Sequence, residues 1–154
     1  MTPASPWHFD LVSHWRLRAR PEDVWAVLTQ PECWPQWWPQ VQAAQDLGEQ
    51  RRRMVWRAPL GYRLVVELEV TESLAPQRLR AQSRGDLQGE GIWLLREHAP
   101  YTDVTYLWRV QLPAGWMRAL APVLAPLYRW SHDRVMRAGG EGLARYLGQS
   151  AENK

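Results

Sequence analysis

The run Ser131-His132-Asp133 holds the three residue types of a hydrolytic triad. A working triad needs them joined in one hydrogen-bonded chain. Consecutive helical residues point about 100° apart, and residues one or two apart do not face each other. The run therefore makes no triad, and no catalytic residue is assigned from it. His132 alone is the better candidate. It shares a helical side with Tyr128, Val135 and Met136. A histidine beside a cavity serves as acid or base, since its unperturbed pKa is about 6.5. A structural histidine hydrogen-bonded to the sheet explains the same residue without chemistry. His8, His14, His98 and His132 lack metal-ligand spacing, and Cys33 is the single cysteine, so no metal site is expected. No GxGxxG follows a strand and no phosphate loop is present, so no cofactor is expected. Gly85, Gly89 and Gly91 lie in or beside a strand, where glycine marks a bulge or a sharp curve.

Tryptophan is the other chemically notable residue: the chain has eleven, against one phenylalanine. Each brings a large apolar area and one N–H that wants a partner. That is more than one small core hides comfortably, so some are expected to line a cavity or an exposed patch. Trp56, Trp93, Tyr106 and Trp108 occupy strand positions whose alternation points inward. Core packing and ligand lining both account for them.

The elements that must position these residues follow from periodicity. Residues 8–19 alternate, with Phe9, Leu11, Ser13, Trp15, Leu17 and Ala19 on one face, as a half-buried strand does. Pro21 followed by Glu22 and Asp23 opens a helix whose Val24, Val27 and Leu28 share a face. Pro31, Pro35 and Pro39 limit Cys33–Trp38 to a short helix or turns. Residues 41–48 and 52–58 read as strands joined by a solvated tip at Arg51-Arg52-Arg53. Residues 62–72 give the clearest strand, with Tyr62, Leu64, Val66, Leu68 and Val70 opposite Arg63, Glu67, Glu69 and Thr71. Residues 77–84, 87–97 and 103–112 add three more, with the last turn at Tyr101-Thr102-Asp103.

From Trp116 to Leu147 the period becomes helical. Trp116, Leu120, Leu124, Leu127, Ser131 and Val135 form an inner stripe, opposite Arg118, Pro122, Pro126, Arg129 and Asp133. Pro122 and Pro126 bend such a helix around whatever it covers. Gly139, Gly140 and Gly142 weaken it near its end, and weakness at Pro122, Pro126 and Gly139-Gly140 predicts a gate. The order is strand, two short helices, six strands, long helix. Short turns between strands make an antiparallel meander, and one amphipathic helix closes its apolar face. The expected fold class is α+β: a curved antiparallel sheet of about seven strands wrapped around a long C-terminal helix. Residues 1–7 read as a loose leader, 8–148 as one ligand-binding domain and 149–154 as a tail.

Length and composition bound the function. The chain has 154 residues, 45% hydrophobic and 23% charged, ordinary for a single globular domain. No apolar run reaches the roughly 20 residues of a membrane helix, and the N-terminus is no secretory signal. The lone cysteine makes no internal disulfide, so the cytoplasm is the expected compartment. The net charge is +3, and Lys154 is the only lysine among 19 basic residues. Arginine suits phosphate recognition, but base composition of the genome explains the bias too. The charge is spread along the chain, which argues against a nucleic-acid partner.

The order of elements resembles the helix-grip superfamily of START-related lipid carriers, plant pathogenesis-related allergens and bacterial polyketide cyclases. Pro21-Glu22-Asp23-Val24-Trp25 is similar to that superfamily's first-helix opening. Trp34-Pro35-Gln36-Trp37-Trp38-Pro39-Gln40-Val41 is similar to its tryptophan-proline segment. Gly89-Glu90-Gly91-Ile92-Trp93 and Val104-Thr105-Tyr106-Leu107-Trp108 are similar to its last two strands. Trp130–Met136, followed by Gly139-Gly140-Glu141-Gly142-Leu143, resembles the final helix of a cyclase/dehydrase-like bacterial branch. The resemblance covers roughly residues 8–148, and its superfold hosts carriers, enzymes and co-chaperones alike.

Three functions fit. The first is binding or carriage of a small hydrophobic molecule in a cavity between sheet and C-terminal helix. That cavity is expected at roughly 300–1,000 Å³, walled by Met54, Trp56, Leu68, Trp93, Tyr106, Trp108, Leu124, Tyr128 and His132. The second is a cyclase/dehydrase-like enzyme on a polyketide-like or lipid-like substrate, with Tyr106, Tyr128 and His132 as its polar groups. The third is a protein-interaction module using Trp7, Trp34 and Trp37 as an exposed patch. An inward cluster of titratable groups favours the enzyme, and a cavity without one favours the carrier. The oligomeric state is left open.

Overall fold

The structure, a computed structural model, describes residues 8–59, 61–111 and 119–152. Its elements are β1 (His8–Leu17), α1 (Pro21–Leu28), a 3-10 helix (Pro31–Gln36), β2 (Val41–Gly48), β3 (Arg51–Arg57), β4 (Arg63–Leu74), β5 (Arg78–Gly85), β6 (Gln88–His98), β7 (Tyr101–Gln111) and α2 (Ala121–Glu152). The seven strands form one sheet in the order β1-β7-β6-β5-β4-β3-β2, every neighbouring pair antiparallel. The sheet is curved and open, with α2 as the long C-terminal helix. This is the α+β helix-grip architecture.

Alternation places one face of the sheet toward α2. In β1, Phe9, Trp15 and Leu17 are buried while Asp10, His14 and Arg16 are exposed. In β4, Val66 is buried on the inner face. Leu64 and Leu68 share that face and stay half-buried because they border a cavity. Glu67 and Glu69 were expected to be exposed but are half-buried. Arg51 Nη1 lies 3.1 Å from Glu67, and Arg84 Nη2 lies 3.9 Å from Glu69, so basic side chains cover them.

Two turns differ from expectation. Arg51–Arg53 are not a solvated tip but the start of β3. The tip is Gly48-Glu49-Gln50, with φ of 82°, 52° and 62°. Arg51 pairs with Glu67, and Arg52 pairs with Asp46 and with Glu32 of the 3-10 helix. A charge run looks solvated until its acidic partners, distant in sequence, arrive across the fold. Likewise Tyr101–Asp103 belong to β7, and the turn sits at Ala99-Pro100.

The core is largely tryptophan. Trp15, Trp34, Trp37, Trp38 and Trp93 are buried together with Leu17, Val24, Leu28, Val41, Met54, Met136 and Leu143. Trp34 and Trp37 are each 4% exposed, so they do not form the surface patch required of an interaction module, and Trp7 lies outside the described residues. The 3-10 helix turns them inward. Trp37 N donates to Trp34 O at 3.0 Å and Trp38 N to the same oxygen at 2.7 Å. This closes the Pro-punctuated stretch over the sheet instead of leaving it in solvent.

Helix α2 seats on this core through Ser131, Met136, Gly139, Gly142 and Leu143, all buried. Leu120 (49% exposed) and Leu127 (37% exposed) lie off the inner face assigned to them, and Trp116 is outside the described residues. An apolar stripe shows which side of a helix is apolar, not how far along its length the sheet reaches. The helix also runs to Glu152, past the expected end at Leu147.

Gly139, Gly140 and Gly142 of α2 are sites of close packing. A Cβ on Gly139 would fall 2.4 Å from Trp38, and one on Gly140 would fall 2.7 Å from Trp15. On Gly142 it would fall 1.7 Å from the Trp37 carbonyl oxygen. Trp15 Nε1 and Trp38 Nε1 donate to the carbonyls of Met136 and Val135, each at 2.9 Å. The indoles are clamped onto the helix where a hinge was expected. Gly89 and Gly91 likewise mark no bulge, because the β5–β6 and β6–β7 registers run unbroken.

Candidate functional site

Between the sheet and α2 lies a cavity of about 120 Å³. Its floor is Leu64, Val66 and Leu68 of β4, Ala81 of β5, Gly91 and Trp93 of β6, and Tyr106 and Trp108 of β7. Its roof is Tyr128, Ser131, His132, Val135 and Met136 of α2. Trp34, Trp38 and Trp56 close one end, while Arg57, Ala58, Pro59 and Tyr62 border the β3–β4 connection. Arg57 and Tyr62 are exposed, which puts the mouth there. The cavity is smaller than expected because Trp34 and Trp38 fill one end. Trp38 packs edge-on against Trp56 with ring centroids 4.9 Å apart.

Of the residues expected around the site, Trp56, Leu68, Trp93, Tyr106, Trp108, Tyr128 and His132 meet at the cavity. Met54 and Leu124 do not. Met54 has the right strand parity but lies two residues away from Trp56 along β3, fully buried in the core. Leu124 is half-buried one turn before Tyr128 and stops short of the cavity. Trp34, Trp38, Tyr62 and Ser131 are lining residues that pattern reading did not place there. The signal for the first two was their spacing of four, which puts both on one side of a helical turn.

The aromatic wall is continuous. Tyr106 lies between Trp93 and Trp108, at 4.1 and 5.9 Å between ring centroids. Gly91 makes room for it, since a Cβ there would fall 2.5 Å from the Tyr106 hydroxyl. Trp108 Nε1 donates to the Tyr128 hydroxyl at 2.8 Å. Tyr128 also tilts against Phe9 at 4.7 Å, with His132 one turn further at 6.3 Å.

Polar groups gather at one end of this apolar space. Ser131 Oγ and His132 Nε2 are buried and have no hydrogen-bond partner among the described residues. Burial pushes the Tyr106 phenol far above the ordinary range, with Tyr128 adding to the rise. Tyr128 is raised by burial as well, against the opposing hydrogen bond from Trp108. Tyr62 is raised by burial, with Ser131 opposing the rise. Burial pushes the His132 imidazole down to about 4, against Asp133. All of these groups are therefore neutral near pH 7. Among the described residues, no group of His, Cys, Asp and Glu is arranged to hold a metal ion.

An apolar cavity roofed by the last helix of a seven-stranded helix-grip sheet narrows the relatives. Residues 9–148 match the family described as polyketide cyclase / dehydrase and lipid transport. The chain belongs to this family. None of the curated proteins matches the sequence. Solved structures share the fold. A START superfamily protein from Mycobacterium smegmatis superposes with a TM-score of 0.76 at 15% identity, covering 91% of this chain and 97% of that one. The di-domain aromatase/cyclase BexL of the BE-7585A biosynthetic pathway gives 0.74 at 18% identity. There 91% of this chain is covered but 50% of the other, so this chain spans half of that protein. A protein from Thermus thermophilus gives 0.70 at 19% identity, covering 90% and 99%. Among the described residues, the cavity's polar side chains are Tyr62, Tyr106, Tyr128, Ser131 and His132, with Arg57 at the mouth. No helix among the described residues is long and apolar enough to cross a membrane.

Proposed function

We propose that this chain binds or carries a small hydrophobic molecule in the cavity between the sheet and α2. The supporting observation is the lining: among the described residues it holds no carboxylate, and its aromatic and aliphatic side chains surround a few neutral polar tips. Ligand sites commonly have this composition. Trp56, Leu68, Trp93, Tyr106, Trp108, Tyr128 and His132 are the proposed ligand contacts. A small molecule rather than a nucleic acid is the proposed partner, and the cytoplasm is the proposed compartment.

Native mass spectrometry of the purified protein tests this by revealing a co-purified small molecule. Titration with the uncharged probe N-phenyl-1-naphthylamine tests it independently. Binding with a change in tryptophan emission, weakened by Trp108→Ala together with His132→Ala, supports the reading. Absence of both a co-purified molecule and probe binding refutes it.

A cyclase/dehydrase-like activity is the second reading, and one observation favours it. Tyr106, Tyr128 and His132 form an inward cluster of titratable groups. Acid–base catalysis works best with a pKa near the working pH. The phenols are shifted up and the imidazole down, each away from neutrality. The cluster is thus better suited to donating hydrogen bonds to a bound oxygen than to moving protons. Binding is accordingly the primary proposal.

A further inference from the structure

Two polar atoms at the roof of the cavity find no partner among the described residues. Ser131 Oγ and His132 Nε2 are buried, have no hydrogen-bond partner there, and belong to residues that line the space. A buried polar atom without a partner carries its full desolvation penalty. A bound molecule that supplies the partner removes that penalty. Around these atoms the Tyr128 hydroxyl accepts from Trp108 at 2.8 Å and keeps its own proton to donate.

Among the described residues the cavity also lacks a counter-ion: Arg57 is the one arginine on its border, and it is exposed at the mouth. Strand alternation gives the inward position to its neighbour Trp56, and Arg57 pairs across the strands with Arg63 on the outer face. Neither a carboxylate nor an ammonium group would find an opposite charge inside, and burying an unpaired charge is costly.

We infer that the cavity selects an uncharged, flat, mostly apolar molecule carrying a hydroxyl group, which docks against His132 Nε2 and Ser131 Oγ. The inference rests on the binding function proposed above. A hydroxyl both donates and accepts, so it satisfies the imidazole nitrogen in either tautomer. Flatness follows from the walls, where Tyr106 and Trp108 lie within 20° of parallel. The chemistry is that of a phenol or an aromatic alcohol, not a fatty acid or an amine.

Isothermal titration calorimetry at pH 7 with naphthalene, 2-naphthol and 2-naphthoate separates the possibilities. The three share one ring system and differ in the polar group. The expected result is 2-naphthol binding at least about tenfold tighter than either of the others. In His132→Leu the preference for 2-naphthol over naphthalene, read as the ratio of the two affinities within the variant, should fall to within about threefold. Ser131→Ala, a smaller change, should lower the same preference in part. Equal binding of all three, tightest binding of 2-naphthoate, or an unchanged preference in both variants overturns the inference. The naphthalene arm reads the cavity itself. If naphthalene binds without discrimination, the hydroxyl inference falls alone; if none of the three binds, it falls with the binding function.

Discussion

Trp38 rests on Gly139, close enough that a methyl group on the glycine would meet its indole at 2.4 Å, and donates Nε1–H to the Val135 carbonyl at 2.9 Å. Val135 stands four residues before Gly139, so one turn of α2 supplies both the acceptor and the vacancy. Trp15 repeats the arrangement with Met136 and Gly140. The two indoles tie β1 and the segment after the 3-10 helix to the helix that roofs the cavity.

This relationship sets two ordinary effects against each other. On helix propensity alone, Gly139→Ala should stabilise by about 1 kcal/mol. Overpacking a close contact costs about 1–3 kcal/mol. Contact with a rigid indole decides the sign, so Gly139→Ala is expected to destabilise. Gly148, in the same helix, has nothing within 4 Å of an added Cβ, so Gly148→Ala should stabilise by about 0.5–1 kcal/mol. Urea unfolding of both variants checks the pair, and stabilisation by Gly139→Ala would contradict the clamp.

The positions that cannot take a charge shift accordingly along α2. Leu143 is 0% exposed, and Leu143→Asp should cost more than about 4 kcal/mol, enough to unfold the domain. Sequence pattern alone points to Leu124 for this effect, but Leu124 is half-buried, so Leu124→Asp should destabilise without abolishing folding. Arg129 is exposed, with its guanidinium 5.2 Å from the Phe9 ring centroid. Arg129→Asp should therefore lose only about 0.5–1 kcal/mol. Thermal melts rank the three, and a Leu124 variant as unstable as the Leu143 variant would show that the helix seats differently.

Much of this was legible in the sequence, and the remainder was hidden for definable reasons. Alternation of period two marked residues 8–19 and 62–72, where β1 (His8–Leu17) and β4 (Arg63–Leu74) lie, and Pro21 with Glu22 and Asp23 marked the start of α1 (Pro21–Leu28), because these signals are local. Gly139, Gly140 and Gly142 looked like weak points because propensity describes a helix in isolation. Their role appears only when Trp15, Trp37 and Trp38, distant in sequence, arrive. An exposed Trp34 was part of the interaction-module alternative, whereas its indole Nε1 donates to the Val27 carbonyl at 3.2 Å and the ring is buried. The inward residues of β3, β4, β6 and β7 followed from parity. Which of them reach the cavity depended on the seating of α2, and no periodicity encodes that.

Stability should carry a pH signature from His132. An unfolded imidazole titrates at about 6.5, while folded His132 titrates at about 4. Between these values the unfolded chain binds more protons than the folded one. Stability therefore rises with pH across that window and is lost as pH falls through it. The limiting slope is about 1.4 kcal/mol per pH unit, reduced by whatever water reaches the ring. His132→Leu should flatten this component, so the difference between wild type and variant in urea unfolding should vary from about pH 4.5 to pH 7. A constant difference would show that the imidazole is not held neutral by the fold.

The bond between Trp108 and Tyr128 is testable by a double-mutant cycle. It joins β7 to α2 across the cavity at 2.8 Å, and Trp108 is 7% exposed. Tyr128→Phe keeps the ring, and with it the contact to Phe9, but strands the indole N–H of Trp108 without an acceptor. Leaving a buried donor unpaired costs about 1–3 kcal/mol. Trp108→Phe removes the donor together with part of the wall, so it costs packing as well. Once either partner is gone, removing the other no longer breaks the bond. The double variant should therefore be less destabilised than the sum of the single variants, by about 1 kcal/mol. Strict additivity in urea unfolding would mean that the hydrogen bond contributes nothing to holding the roof on the sheet.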